Sequence, residues 1–102
     1  MIALVEHHRA ALAALCRRFS VRRLDVFGSA AKGTFDPEQS DLDFLVTLEA
    51  RSPGEYAENF FDFAQALESL FQRRVYLVTE RSIRNPYFRQ VVEQSRQLVY
   101  EA

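Results

Sequence analysis

Cysteine, glycine, proline and tryptophan are scarce in this chain, and long apolar runs are missing. Cys16 is the one cysteine among 102 residues, which excludes an internal disulfide framework. Its place in a helical pattern favours a small core residue over a nucleophile. No apolar run approaches the roughly 18 residues that span a bilayer, and the first residues lack the basic segment of a signal peptide. The sequence therefore predicts a cytoplasmic protein with no membrane partner.

The chain also lacks an excess of either charge. Thirteen lysines and arginines oppose 14 aspartates and glutamates, for a formal net charge of -1. Nucleic-acid-binding proteins usually carry a strong basic excess, so this balance disfavours DNA or RNA as a partner. The arginines still cluster, over residues 17–23 and again over 73–89. Either these arginines lie on solvated faces and helix ends, or some of them contact phosphate or an acidic partner.

What remains is the composition of an ordinary globular domain. Apolar residues make up 48% and charged residues 26% of the chain, and its length predicts a single domain over residues 1–102 with one hydrophobic core. Helical spacing of apolar residues predicts helices over 2–19 and 55–71, the second with Ser52 as N-cap and Pro53 in its first turn. Apolar and β-branched runs predict strands over 21–27, 42–48, 74–79 and 97–100, with a short helix over 87–94 after Asn85 and Pro86.

The connections between these elements predict the fold class. Only a loop separates the first two strands, and it is too short for a conventional crossover helix. We therefore expect those strands to be antiparallel or joined through a single helical turn. The predicted fold is α/β (α+β), a small mixed β-sheet with helices packed on it.

The first candidate site feature is a glycine-containing turn at the end of the first strand. Gly28 and Ser29 follow Phe27 and open the turn-rich stretch 28–40, which also contains Gly33 and Pro37. Glycine permits a sharp turn and lets a ligand approach without a Cβ in the way. If residues 29–32 form a helical turn, its unpaired N–H groups can meet phosphate oxygens. Alone, this dipeptide is a weak signal, because most such pairs are plain turns.

The second feature is a pair of carboxylates at the start of the next strand. Side chains alternate along a strand, so Asp41 and Asp43 share one face while Leu42 points into the core. Adjacent carboxylates entering a core repel one another unless a cation lies between them. Oxygen ligands favour a hard ion such as Mg²⁺. The alternative is a loop-end aspartate cap followed by an exposed aspartate.

Together the two features resemble the DNA polymerase beta-like nucleotidyltransferase superfamily, and within it the minimal nucleotidyltransferases. The resemblance covers nearly the whole chain and is carried by Gly28-Ser29 and Ser40-Asp41-Leu42-Asp43. It continues through the segments 73–75, 77–80 and 85–87.

The resemblance implies a transfer of AMP from ATP to a hydroxyl group, with Asp41 and Asp43 as catalytic residues that bind one or two Mg²⁺ ions. It further implies that Gly28 and Ser29 hold the phosphates and that Ser40 belongs to the nucleotide site. Lys32 stands where the family more often has arginine. It keeps the charge but loses the planar fork, so it is either a nucleotide contact or a solvated helix residue.

The chain departs from the family at Tyr76. The family's third carboxylate normally lies in the strand over 74–79, at the position that Tyr76 occupies here, and alternation directs Tyr76 to the metal side. A neutral phenol is a poor magnesium ligand and a poor base at neutral pH. Glu80, four residues further on, is about 13 Å away along an extended strand and too far to substitute.

These observations leave several functions open. Minimal nucleotidyltransferases are commonly antitoxins that modify or bind HEPN-type toxins, so the resemblance implies an adenylyltransferase with a HEPN-type partner. One alternative is a catalytically weakened antitoxin that neutralises its partner by binding alone. Another is a subunit that needs a second chain to complete its site. The arginines over 73–89 are candidates for the partner contact.

Overall fold

A single mixed sheet organises the molecule, of which this computed structural model describes residues 2–32, 35–36, 38 and 40–102. Its strands are β1 (Val21–Phe27), β2 (Leu42–Leu48), β3 (Val75–Thr79) and β4 (Gln97–Glu101), in the order β3-β2-β1-β4. β1 is antiparallel to β2 and β4, while β2 and β3 are parallel. The predicted mixed sheet is confirmed, and so is the antiparallel pairing of the first two strands.

Five helices of the described residues surround this sheet. They are α1 (Ala3–His7), α2 (Arg9–Arg18), α3 (Ser29–Lys32), α4 (Pro53–Phe71) and α5 (Pro86–Ser95), with a short 3-10 turn at Glu80–Ser82. None of the helices within the described ranges is both long and apolar enough to cross a membrane. α3 supplies the single helical turn expected between β1 and β2. Gly33 and Pro37 lie outside the described residues.

The prediction of a single first helix over residues 2–19 is wrong, because the helix is interrupted at His8, between α1 and α2. His8 Nδ1 lies 2.8 Å from the carbonyl oxygen of Leu4, which would accept the backbone N–H of His8 in a continuous helix. The His8 N–H instead donates to the carbonyl of Val5 at 3.1 Å. The imidazole also packs against Phe71, with ring centroids 5.0 Å apart. A contact with α4 thus accompanies the break.

The two faces of the sheet have different coverings. On one face, α1, α2 and α4 cover the main core, which includes Leu24, Val26, Leu42 and Phe44. On the other face, α5 and the segment before it cover a smaller cluster made of Phe27, Leu45, Val78, Ile83 and Val92. Tyr76 lies on this second face, because it is in register with Asp43, and it stays half exposed. An open strip therefore remains where β1 ends and β2 and β3 begin.

Helix caps follow the predicted positions with one difference in chemistry. Ser52 is the N-cap of α4 and Pro53 its first residue, yet the Ser52 hydroxyl makes no capping hydrogen bond. Asn85 caps α5 fully, since its side chain accepts the N–H groups of Tyr87 (2.8 Å) and Phe88 (3.3 Å). The sequence thus predicts which residue is the N-cap more reliably than whether its side chain makes a capping hydrogen bond.

Candidate active site

The carboxylate pair lies at the start of β2, in the open strip. Asp41 and Asp43 flank the buried Leu42, and both remain partly exposed. Arg74 Nε is 3.4 Å from Asp41 Oδ1, while Asp43 stands in register between Phe27 of β1 and Tyr76 of β3. An arginine thus faces Asp41, and only uncharged residues face Asp43 across the strands.

This difference determines the electrostatics of the pair. Burial and, secondarily, the neighbouring Asp41 raise the pKa of Asp43 from 3.8 to about 6. Ionised Asp43 would gain from a nearby cation, and two carboxylates suit a hard ion such as Mg²⁺. Within the described part of the chain, no cluster of three or more His, Cys, Asp or Glu side chains could hold a metal. The pair therefore fits magnesium only if phosphate oxygens and water complete the coordination.

Gly28 brings the turn against these carboxylates. It has φ +69°, and an added Cβ would lie 2.5 Å from Asp43 Oδ2, so a larger residue would be strained and would collide with the carboxylate. The Gly28 N–H donates to Ser95 Oγ at 3.0 Å, and that hydroxyl donates to the Val91 carbonyl at 2.7 Å. Gly28 therefore contributes conformation and space, while its own N–H is already used.

The other predicted nucleotide contacts lie in and after α3. Ser29 begins this helix, so its N–H has no intrahelical partner, and Lys32 ends the helix with an exposed side chain. The N–H groups of Ala31 and Lys32 donate to the Gly28 carbonyl, both at 3.1 Å. Ser40 is tied to its loop, because its hydroxyl accepts the Asp36 N–H at 3.0 Å.

Tyr76 occupies the position expected of the third carboxylate. It stands in register with Asp43, and its ring lies 6.3 Å from that of Phe88, which in turn meets Phe27 at 5.9 Å. Glu80 offers no replacement. Although burial alone would raise its pKa, hydrogen bonds from Arg89 and Arg96 hold the pKa of Glu80 below its ordinary value. Those arginines are 3.1 and 3.0 Å from its oxygens, so the carboxylate is engaged elsewhere.

Comparison with known proteins assigns the chain to a family. Residues 8–99 match the family model described as a nucleotidyltransferase domain. The chain belongs to this family. A protein from Methanocaldococcus jannaschii, assigned as the protein adenylyltransferase MJ1379, is 30% identical over 83 residues, which cover 81% of this chain and 79% of the relative.

Solved structures give the same answer for this nucleotidyltransferase domain. A minimal nucleotidyltransferase structure has a TM-score of 0.66 and 36% identity, over 91% of this chain and 90% of that one. A toxin-antitoxin crystal structure with AMP-PNP has a TM-score of 0.68 and 23% identity, over 92% and 73%. A tri-AMPylated Shewanella oneidensis HEPN toxin in complex with an MNT antitoxin has a TM-score of 0.63 and 20% identity, over 96% and 73%. The last two show the shared fold, and the resemblance to minimal nucleotidyltransferases is confirmed.

Sequence reasoning missed a network of charged side chains beside the site, on the same face of the sheet. Asp25 is fully buried on the face that α5 covers, where it binds Arg96 and accepts from Arg23 Nε at 3.1 Å. An aspartate amid the apolar run of β1 was the available signal. Arg89 belongs to the same network, since it donates to the backbone carbonyls of Glu80 (3.1 Å) and Ile83 (3.2 Å). Of the arginines expected to contact a partner, Arg89 is thus committed to holding the 3-10 turn.

Proposed function

We propose that residues 1–102 form one nucleotidyltransferase domain that binds a magnesium nucleoside triphosphate and transfers AMP from ATP to a hydroxyl group of a protein partner. The observation that carries this proposal is the uncompensated carboxylate of Asp43 beside the glycine turn. A cation there relieves the repulsion within the Asp41–Asp43 pair, and the missing Cβ of Gly28 leaves space next to it.

Different residues of the site bind the phosphate groups and the metal. Gly28 shapes the turn, the first N–H groups of α3 and the Ser29 hydroxyl donate to phosphate oxygens, and Lys32 adds positive charge at the end of that helix. Ser40 fixes the loop leading into Asp41. Asp41 and Asp43 hold one or two Mg²⁺ ions, which when bound neutralise the charge of the reacting phosphate.

Thermal melting tests binding directly. Mg-ATP at 100 times its dissociation constant should stabilise the folded chain by about 2.7 kcal/mol. The Asp41→Asn/Asp43→Asn double variant should lose this ligand-induced rise in Tm. The matched control removes the same charge from α4 through Glu58→Gln/Asp62→Asn and should keep the rise. Identical melting of the native protein with and without Mg-ATP would refute the proposal.

The partner we propose is a HEPN-type toxin in the cytoplasm, which makes this chain an antitoxin. The support is the family and a fold shared with the antitoxin of the Shewanella oneidensis complex. Co-expression with a HEPN-type protein encoded beside this chain, followed by size exclusion, should give a joint peak. Separate elution of both proteins at micromolar concentration would contradict the partnership.

Tyr76 favours a second candidate function, an antitoxin that binds nucleotide and partner but transfers AMP slowly or not at all. Its phenol faces Asp43 from the neighbouring strand, where a third carboxylate would complete a metal site. A phenol neither ligates magnesium well nor takes a proton at neutral pH. In this case neutralisation rests on contact between the two proteins.

A further inference from the structure

We propose that Arg74 is a nucleotide-binding residue that neutralises Asp41 in the nucleotide-free protein and moves to a phosphate group when a magnesium nucleotide binds. The inference rests on the proposed function and adds a residue and a change of partner to it.

The strand register aims Arg74 at the site. The Leu42 N–H donates to the Arg74 carbonyl at 3.2 Å, which continues the pairing of β2 with β3 beyond the first residue of β3. Alternation then directs Arg74 to the same face as Tyr76. Two cross-strand pairs result, Arg74 with Asp41 and Tyr76 with Asp43.

The sheet order places Arg74 on the other side of the carboxylate pair from the glycine turn. Because β2 lies between β1 and β3, the Gly28–Ser29 turn at the end of β1 and Arg74 before β3 flank the carboxylate pair from two sides. A triphosphate held at the turn and crossing the two carboxylates extends toward Arg74. The guanidinium group offers that phosphate a planar fork of N–H donors, which a lysine would not.

The ion pair is weak enough to exchange. The Arg74 side chain is 83% exposed and that of Asp41 42%, and ion pairs this open hold little free energy. A divalent cation at Asp41 would repel the guanidinium, and an incoming phosphate would attract it. Two other arginines of the 73–89 cluster are less free to move, since Arg89 holds the 3-10 turn and Arg73 packs 4.9 Å over the ring of Phe35.

The test measures two affinities that should change in opposite directions. Binding of Mn²⁺ alone, followed by electron paramagnetic resonance, should be about two- to fivefold tighter in Arg74→Gln, because a competing cation is gone. Binding of ATP at saturating Mg²⁺, followed by calorimetry, should be at least about fivefold weaker, because a charge-assisted bond to phosphate is lost.

Two further variants sharpen the test. Arg81→Gln removes the same charge from the exposed 3-10 turn at the other end of β3, and it should leave both affinities at their native values. Arg74→Lys keeps the charge without the fork, so its Mg-ATP affinity should fall between those of the native chain and Arg74→Gln.

Each result supports or overturns the inference. Native affinity for Mg-ATP in Arg74→Gln overturns it, and so does unchanged affinity for Mn²⁺. Weaker binding of both ligands together with a lower Tm indicates a structural role and overturns it as well. If the native chain and Arg81→Gln bind neither ligand, the proposed function fails and the inference falls with it.

Discussion

Asp43 shows how a single residue can be unfavourable for folding and useful for binding. Its carboxylate is partly buried, close to Asp41 and opposite a tyrosine, and its pKa rises to about 6 as a consequence. An ionised carboxylate in this position destabilises the folded protein without a ligand, and a bound cation would stabilise it. The same charge thus opposes folding and favours ligand binding.

Replacing Asp43 should therefore stabilise the metal-free protein. Asp43→Asn should raise the free energy of unfolding at pH 7 by about 1–3 kcal/mol, since each pKa unit is worth about 1.4 kcal/mol. The folded carboxyl keeps its proton up to about pH 6, whereas the unfolded one loses it near 3.8, so the native chain loses stability between those values. The advantage of the variant should be small near pH 4 and complete by pH 7.

Urea unfolding in EDTA at both pH values measures this difference. Asp41→Asn is the matched control, and because its ion pair with Arg74 is open to solvent, it should change stability by less than about 1 kcal/mol. A stability gap for Asp43→Asn that is equal at the two pH values would show that ionisation is not its cause.

Tyr76 separates binding from chemistry. Tyr76→Asp should raise AMP transfer by at least tenfold, because general-base assistance is typically worth about 10² to 10⁴ in rate. The fold should tolerate the change, since the side chain is 49% exposed. Labelled-ATP assays with the HEPN-type partner present would measure it, with Tyr76→Asn as the uncharged control. A native rate equal to that of the aspartate variant would mean that another group supplies the third function.

At the scale of elements, α5 supports the glycine turn at Gly28 and Ser29. The hydroxyl of Ser95, near the end of this helix, accepts the Gly28 N–H and is itself oriented by the Val91 carbonyl. The helix begins at a well-made cap on Asn85 and ends beside the turn. A movement of α5 would consequently shift or break the hydrogen bond to Gly28.

Removing the Ser95 hydroxyl should loosen this support. Ser95→Ala leaves the Gly28 N–H without its partner and should cost about 1–3 kcal/mol of stability, with weaker Mg-ATP binding. Ser82→Ala removes a hydroxyl from the exposed 3-10 turn and serves as control, with a smaller loss and unchanged binding. Calorimetric Mg-ATP titrations of both variants would check this, and native affinity in Ser95→Ala would exclude a supporting role.

The sequence predicted elements well and their long-range contacts poorly. All four strands lie within one residue of the expected ranges, because breakers bound their apolar runs: β1 and β2 match at both ends, β3 begins one residue later and β4 ends one residue later. Alternation likewise predicted the shared face of Asp43 and Tyr76. The break at His8 was not predictable, since it accompanies a ring contact with Phe71 in another helix. The bond between Gly28 and Ser95 joins residues 67 apart, and no spacing rule predicts it. The catalytic and nucleotide-binding roles remain predictions.

At the scale of the whole molecule, one charged network joins the sheet to its outer helix. The fully buried Asp25 of β1 binds Arg96, which follows α5 and also donates to Glu80 and Glu93, at 3.0 Å in each case. Burial alone would lower the pKa of Arg96, but the hydrogen bonds that it donates to Asp25, Glu80 and Glu93 raise it. The arginine therefore stays charged and holds three segments together.

Breaking this network should destabilise the folded domain strongly. Arg96→Met leaves the buried Asp25 carboxylate with Arg23 as its remaining charged partner and should cost up to about 3–5 kcal/mol, out of a total stability of about 5–15 kcal/mol for a domain of this kind. Asp25→Leu/Arg96→Met removes both charges and should recover most of the loss. Urea unfolding would measure both variants against Arg84→Met, an exposed control expected to stay within about 0.5 kcal/mol. A double variant as unstable as Arg96→Met would contradict the account.

The strand order also has a consequence for synthesis. β1 can pair with β2 once residue 48 has been made, but its other edge pairs with β4, where Arg23 lies opposite Glu101. The ion pair between Asp25 and Arg96 also forms only after most of the domain has been made, because the two residues are 71 positions apart. Until then a nascent chain carries an open strand edge that can pair with other chains. Folding of the sheet should accordingly wait until β4 is available for pairing, and chains truncated before β4 should aggregate.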